Sequence, residues 1–184
     1  MKRAILTAMT VLVAWAAVVA PAAAEPQLNM LLAGDSEANT IGITLSADGR
    51  SYVIDSVVPL EVGGSVCAHP EGQPNELVCS APAIGGFEVN AGAGDDSVTV
   101  AAEVLVPVTL RAGPGRDRLV GGSGPDKLVG GPGDDVIFGR GGADSLFGGP
   151  GDDHLAGGGG DDLLHGDSGE DILLGGSGQN RLVQ

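Results

Sequence analysis

Aspartate recurs every nine residues along the C-terminal part of this chain. The series runs Asp117, Asp126, Asp135, Asp144, Asp153, Asp162 and Asp171, with Asn180 in the last place and Asp96 one irregular step before the first. A carboxylate is a hard oxygen donor, and each of these is preceded by glycines whose missing Cβ lets backbone carbonyls approach a ligand. That combination suits a hard cation such as calcium, which takes six to eight mixed carboxylate and carbonyl oxygens at about 2.3–2.6 Å. One short turn cannot supply so many oxygens. Two turns stacked on one edge can.

The elements that would stack them are legible in the same stretch. Nine-residue units begin at 112, 121, 130, 139, 148, 157, 166 and 175, in tandem without a gap, and an outlying copy, AGAGDDSVT, occupies 91–99. Position four is glycine in every unit, and position six is the aspartate or Asn180. Position eight is always aliphatic: Val98, Leu119, Leu128, Ile137, Leu146, Leu155, Leu164, Leu173 and Leu182. Each unit therefore reads as a six-residue turn followed by a three-residue strand with one inward side chain. Glycines at positions one, two and four are expected to take positive φ.

With two units per coil, every second turn falls on the same edge. The expected bridging pairs are Asp96/Asp117, Asp117/Asp135, Asp135/Asp153 and Asp153/Asp171 on one edge. On the other they are Asp126/Asp144, Asp144/Asp162 and a weaker Asp162/Asn180. The step from 91 to 112 is one coil of 18 plus three residues. The turn at 91–96 should therefore sit over that at 112–117, with 98–110 forming two strands bent near Ala101-Ala102-Glu103. Strands stack about 4.8 Å apart, so facing aspartates would repel by roughly 3–4 kcal/mol at an effective dielectric of about 20. A thin core offsets little of this. The roll is expected to be largely unfolded without calcium and to fold on binding it. In GGPGDDVIF (130–138), Asp134 at position five is expected to leave its side chain in water.

These units resemble the glycine-rich nonapeptide G-G-x-G-x-D-x-U-x of RTX proteins, the haemolysin-type calcium-binding repeat. The resemblance covers 91–99 and 112–183. It implies an all-β fold, a right-handed parallel β-roll with two nonapeptides per coil, and Ca2+ held in the turns, about six to seven ions at one per stacked pair. Beside the position-six side chains, the turn residues implied as metal-binding are Gly113, Gly115, Gly122, Gly124, Gly131, Gly133, Gly149, Gly151, Gly158 and Gly160. Related proteins often carry a large catalytic or pore-forming region upstream and leave through a C-terminal secretion signal. This sequence departs from that pattern, so toxin, protease and lipase activities are not carried over. It looks like the short secreted calcium-binding proteins that have repeats without an effector domain.

The remaining residues define the setting. Lys2 and Arg3, an apolar run from Ala4 to Ala20, Pro21 and Ala22-Ala23-Ala24 have the order of a secretory signal peptide with an A-x-A cleavage site. Residues 1–24 are therefore expected to be removed and the product to be soluble and extracellular. Without Lys2 and Arg3 the chain has 24 acids against 7 bases, a net charge of about −17. This excludes nucleic acid and anionic membrane surfaces as partners, since both are bound through basic patches. Residues 25–90 read as short strands, Thr40–Leu45 and Tyr52–Ile54 around the turn Ala47-Asp48-Gly49-Arg50. They form either a hairpin or irregular first coils, and should cap the open end of the roll at 91–184. Cys67 and Cys79, the only cysteines, are expected to pair in an oxidising compartment and to staple that cap.

Enzyme chemistry finds no support. No H-E-x-x-H occurs, and Gly34-Asp35-Ser36 with Asp162-Leu163-Leu164-His165 only loosely matches the blocks of SGNH hydrolases. His154 and His165 occupy positions seven and nine of adjacent units, so the roll puts them on opposite sheets; His69 lies between the cysteines. The alternative to plain calcium binding is calcium-dependent adhesion, matrix assembly or self-association through the outer faces. Outward columns Val120, Phe138, Ala156 and Leu174 on one sheet, and Val129, Phe147 and Val183 on the other, would carry it.

Overall fold

A computed structural model describes residues 28–33, 36–56, 67–73, 75–81 and 84–184. The expected leader, 1–24, lies outside the described residues. Every regular element among them is a strand, β1 to β16, and no helix is long and apolar enough to cross a membrane.

The chain winds through two sheets in alternation. Within the repeats, β9 (Arg118–Val120), β11 (Val136–Gly141), β13 (His154–Gly159) and β15 (Ile172–Ser177) lie in one sheet. The other sheet takes β10 (Lys127–Val129), β12 (Ser145–Pro150), β14 (Leu163–Ser168) and β16 (Arg181–Val183). All pair in parallel, and Ile137 opposes Leu155 while Leu128 opposes Leu146. These are offsets of 18 residues, two nonapeptides per coil. The fold is a stacked parallel β-solenoid of the β-roll kind.

The longer coil also follows the expectation. β6 (Ile84–Asn90) and β7 (Ser97–Val100) pair with β8 (Val108–Arg111) and β9 through Val89/Leu110 and Val98/Leu119, offsets of 21. The three extra residues fall in the loop 101–107.

Ahead of the repeats the two alternatives for the N-terminal segment are both realised. β1 (Leu28–Ala33) pairs in parallel with β6, and β2 (Thr40–Leu45) in parallel with β7, which makes one more coil. On its free side β2 pairs antiparallel with β3 (Ser51–Ser56), followed by β5 (Glu76–Ser80) and the short β4 (Cys67–Ala68). The Cys67–Cys79 disulfide joins β4 to β5 at the rim of this sheet.

Burial follows the period of two that strands impose. Every position-eight side chain from Val98 to Leu164 is buried, in one core continuous with Ile41, Ile43, Ile54, Leu77, Phe87 and Leu110. Tyr52 meets Phe87 edge to face at 5.0 Å between ring centroids. Leu173 and Leu182 in the last coil are less covered. One outward expectation fails: Val120 is buried, not exposed. The outer rings are partly covered by cations, Arg118 over Phe138 at 4.9 Å and Lys127 over Phe147 at 5.5 Å.

Candidate metal-binding turns

The position-six side chains stand in two rows, one per edge, linked by backbone-to-carboxylate hydrogen bonds. In the first row the Asp96 N–H donates to Asp117 Oδ1 at 2.7 Å and Asp117 N–H to Asp135 Oδ1 at 2.8 Å. Asp135 then donates to Asp153 at 2.8 Å and Asp153 to Asp171 at 3.0 Å. In the second row Asp126 donates to Asp144 at 2.8 Å, Asp144 to Asp162 at 2.9 Å and Asp162 to Asn180 Oδ1 at 2.8 Å. The structure thus brings together the members of all seven pairs that share an edge.

Only half of each carboxylate is used this way. The other oxygen, Oδ2, is buried without a hydrogen-bond partner in Asp96, Asp117, Asp135, Asp144, Asp153 and Asp162. An unpaired buried oxygen is costly, and a buried charge more so. Burial, with a smaller push from neighbouring aspartates, raises Asp117 and Asp144 to about 6 and Asp126 and Asp135 to about 7. Asp153 is raised by the same causes. Orphaned hard oxygens in backbone-rich turns fit a hard cation. Among the described residues no three His, Cys, Asp or Glu side chains cluster as a metal site, so most donors to an ion would have to be main-chain carbonyls.

The glycine roles divide differently from the expectation. Outside turn 121–126, positions two and four take positive φ, as at Gly131 (121°) and Gly133 (140°), but position-one glycines do not. In the units from 121 to 166 the carboxylate lies against the position-one glycine, and a Cβ on Gly130 would sit 2.1 Å from Asp135 Oδ2, whereas the units at 91 and 112 carry Ala91 and Ala112 there. At Gly133 a Cβ would stand 1.6 Å from the Gly115 carbonyl oxygen of the preceding coil.

Position five does more than expected. The Asp134 side chain is exposed, as expected, but its Oδ1 also accepts the Asp152 N–H at 3.2 Å. Asp152 accepts from Glu170 at 2.9 Å, Asp95 from Arg116 at 2.9 Å and Asp161 from Gln179 at 2.8 Å. A position-six carboxylate reaches back one coil and a position-five carboxylate reaches forward. Adjacent aspartates hold the stack in both directions.

Sequence reasoning missed Asn39. Its backbone N–H donates to Asp96 Oδ1 at 2.6 Å, and its Nδ2 donates to the Ala91 carbonyl at 3.0 Å, so it heads the first row. The signal was present: Gly34 to Gly42 reads GDSEANTIG against GDSGEDILL at 166–174, with Asn39 at position six and Ile41 at position eight. The lost position-four glycine and a 57-residue step to Asp96 obscured it. The Gly34-Asp35-Ser36 weighed as a hydrolase block belongs to this degenerate unit; its first two residues lie outside the described set. His154 on β13 and His165 on β14 are on opposite sheets, as expected.

Stacked glycine turns, most of whose buried carboxylates keep one oxygen without a partner, define the class, a parallel β-roll with hard-cation turns. Residues 111–146 and 147–182 match the family model of the RTX calcium-binding nonapeptide repeat (4 copies), so this part of the chain is similar to that family. The repeats imply calcium binding in a β-roll, a structural domain that is not typically catalytic. No curated protein and no solved structure matches the chain.

Proposed function

We propose that this is an exported calcium-binding protein in which stacked turns hold several Ca2+ ions and couple metal binding to folding. The observation that carries the reading is the row of buried, partnerless Oδ2 atoms on Asp96, Asp117, Asp135, Asp144, Asp153 and Asp162. Their desolvation opposes the fold, and a bound cation removes that opposition. The residues that would hold the ions are the position-six side chains Asp96 to Asn180 and the carbonyls of turns such as 113–117 and 131–135. About six to seven ions correspond to one per stacked pair. Residues 1–24 would direct export, 25–90 would cap the roll, and 91–184 would form its calcium-binding part.

The test is circular dichroism in chelator and then in excess calcium. The β spectrum should be weak without the metal and appear with it. A spectrum unchanged by either treatment refutes the coupling of calcium to folding.

A second reading, calcium-dependent self-association, is favoured by one feature of the last coils. Val136, Phe138, His154, Ala156, Ile172 and Leu174 line an apolar groove on the outer face of one sheet. Leu174 is 61% exposed and Ile172 47%. The calcium-folded roll would present this face to a second copy.

A further inference from the structure

The seven stacked pairs are not equivalent. Turn 121–126 opens the second row, and where other turns have a glycine turn above them it has the loop 101–107. A Cβ on Gly122 would meet the Val104 carbonyl oxygen at 2.5 Å, and one on Gly124 the Leu105 carbonyl oxygen at 2.4 Å. Neither glycine takes positive φ, whereas positions two and four do so in every other turn of the roll. The carboxylate differs as well. Asp126 Oδ1 accepts the Val108 N–H at 2.9 Å and Oδ2 accepts the Gly122 N–H at 2.8 Å. Asp126 therefore has no orphaned oxygen, unlike the six aspartates above.

A cation already serves this end of the row. Arg140 occupies position two of the next turn on the same edge, where most units have glycine, and adopts φ of 77°. Its guanidinium donates to the Val100 carbonyl and, at 3.2 Å, to the Gly121 carbonyl. Gly121 is the position-one residue of turn 121–126. The equivalent carbonyl heading the first row, that of Ala91, receives the neutral amide of Asn39. A guanidinium is permanently charged and carries five donors, so it satisfies carbonyls that no preceding glycine turn is there to satisfy.

We infer that the Asp126/Asp144 pair takes no calcium: Arg140 supplies the cation at the head of the second row, and Asp126 closes its own turn by hydrogen bonds. The inference rests on the calcium reading above and narrows it. Six pairs remain, four in the first row and two in the second.

Equilibrium dialysis of the full chain against saturating calcium counts the ions. The wild type should bind at most six. Asp126→Asn, which keeps an oxygen for the Val108 N–H, should bind as many as the wild type, while Asp135→Asn should lose at least one. A wild-type count of seven, or loss of an ion in Asp126→Asn, overturns the inference. Should Asp126→Asn fail to fold, Asn180→Ala decides instead: it should lose one ion from a wild-type count of six, and an unchanged count, which would make Asp162/Asn180 the empty pair, overturns the inference. A wild type that binds no calcium at all refutes the underlying reading instead.

Discussion

Gly130 and Asp135 show how closely the repeat's residues depend on one another. The glycine leaves room for the carboxylate, and the carboxylate holds the previous coil through the Asp117 N–H. Gly130→Ala should therefore lower stability by about 1–3 kcal/mol, the usual cost of forcing atoms into a packed site. Gly141→Ala, where the nearest atom to a new Cβ is 3.8 Å away, should be near neutral. Thermal unfolding in calcium compares the two, and equal losses would contradict the packing role of position one. The same carboxylates set a pH dependence. Burial raises Asp117, Asp126, Asp135 and Asp144 to about 6–7, so the folded calcium-free roll binds protons that the unfolded chain has released. Stability then falls as pH rises from about 4 to about 7. Without calcium the roll should gain stability on acidification through that window, and calcium affinity should weaken because protons compete for the same oxygens. A calcium-free thermal midpoint that rises with pH across this range would contradict it.

At the scale of elements, β2 is where two kinds of sheet meet. One side continues the parallel ladder through β7 and the other begins the antiparallel meander β3-β5-β4. The meander covers the sheet edge that the first coil would otherwise leave open, and an open edge invites pairing with other chains. The disulfide closes its outermost pair across a sequence separation of 12. Replacing both cysteines with serine should cost about 3 kcal/mol by loop-closure entropy. The readout is a lower thermal midpoint in calcium with the ion count unchanged. A fall in ion count would show that the meander acts on the turns rather than on the edge. How much of this was legible differs between elements. The repeat strands were readable because the aliphatic position eight never loses phase. The first coil was not, because the meander between β2 and β6 breaks the period and Asn39 replaces the aspartate.

On the scale of the whole molecule, the two ends of the roll differ. At the N-terminal end the meander extends one sheet beyond β2, while the last coil leaves Ile172, Leu174 and Leu182 exposed. If the outer groove through Phe138 and Leu174 serves self-association, sedimentation should show a dimer that requires calcium. Leu174→Asp, which puts a charge on that face and leaves the core position Leu173 intact, should restore the monomer. A wild type that stays monomeric at high concentration in calcium removes the self-association reading and leaves calcium binding untouched.

The nine-residue phase of glycine, aspartate and aliphatic residues by itself determined that equivalent turns recur and which side chain of each strand faces inward. With the two-nonapeptide coil that the resemblance implied, it also assigned each aspartate to an edge. Tertiary structure alone decided how the carboxylates are used. Whether an oxygen is orphaned, bonded to its own turn or linked to a neighbouring coil depends on backbone donors that range from 4 to 57 residues away. That is why the paired aspartates hold the stack in two directions, and why Asp126, identical in sequence pattern to its neighbours, is differently bonded from them.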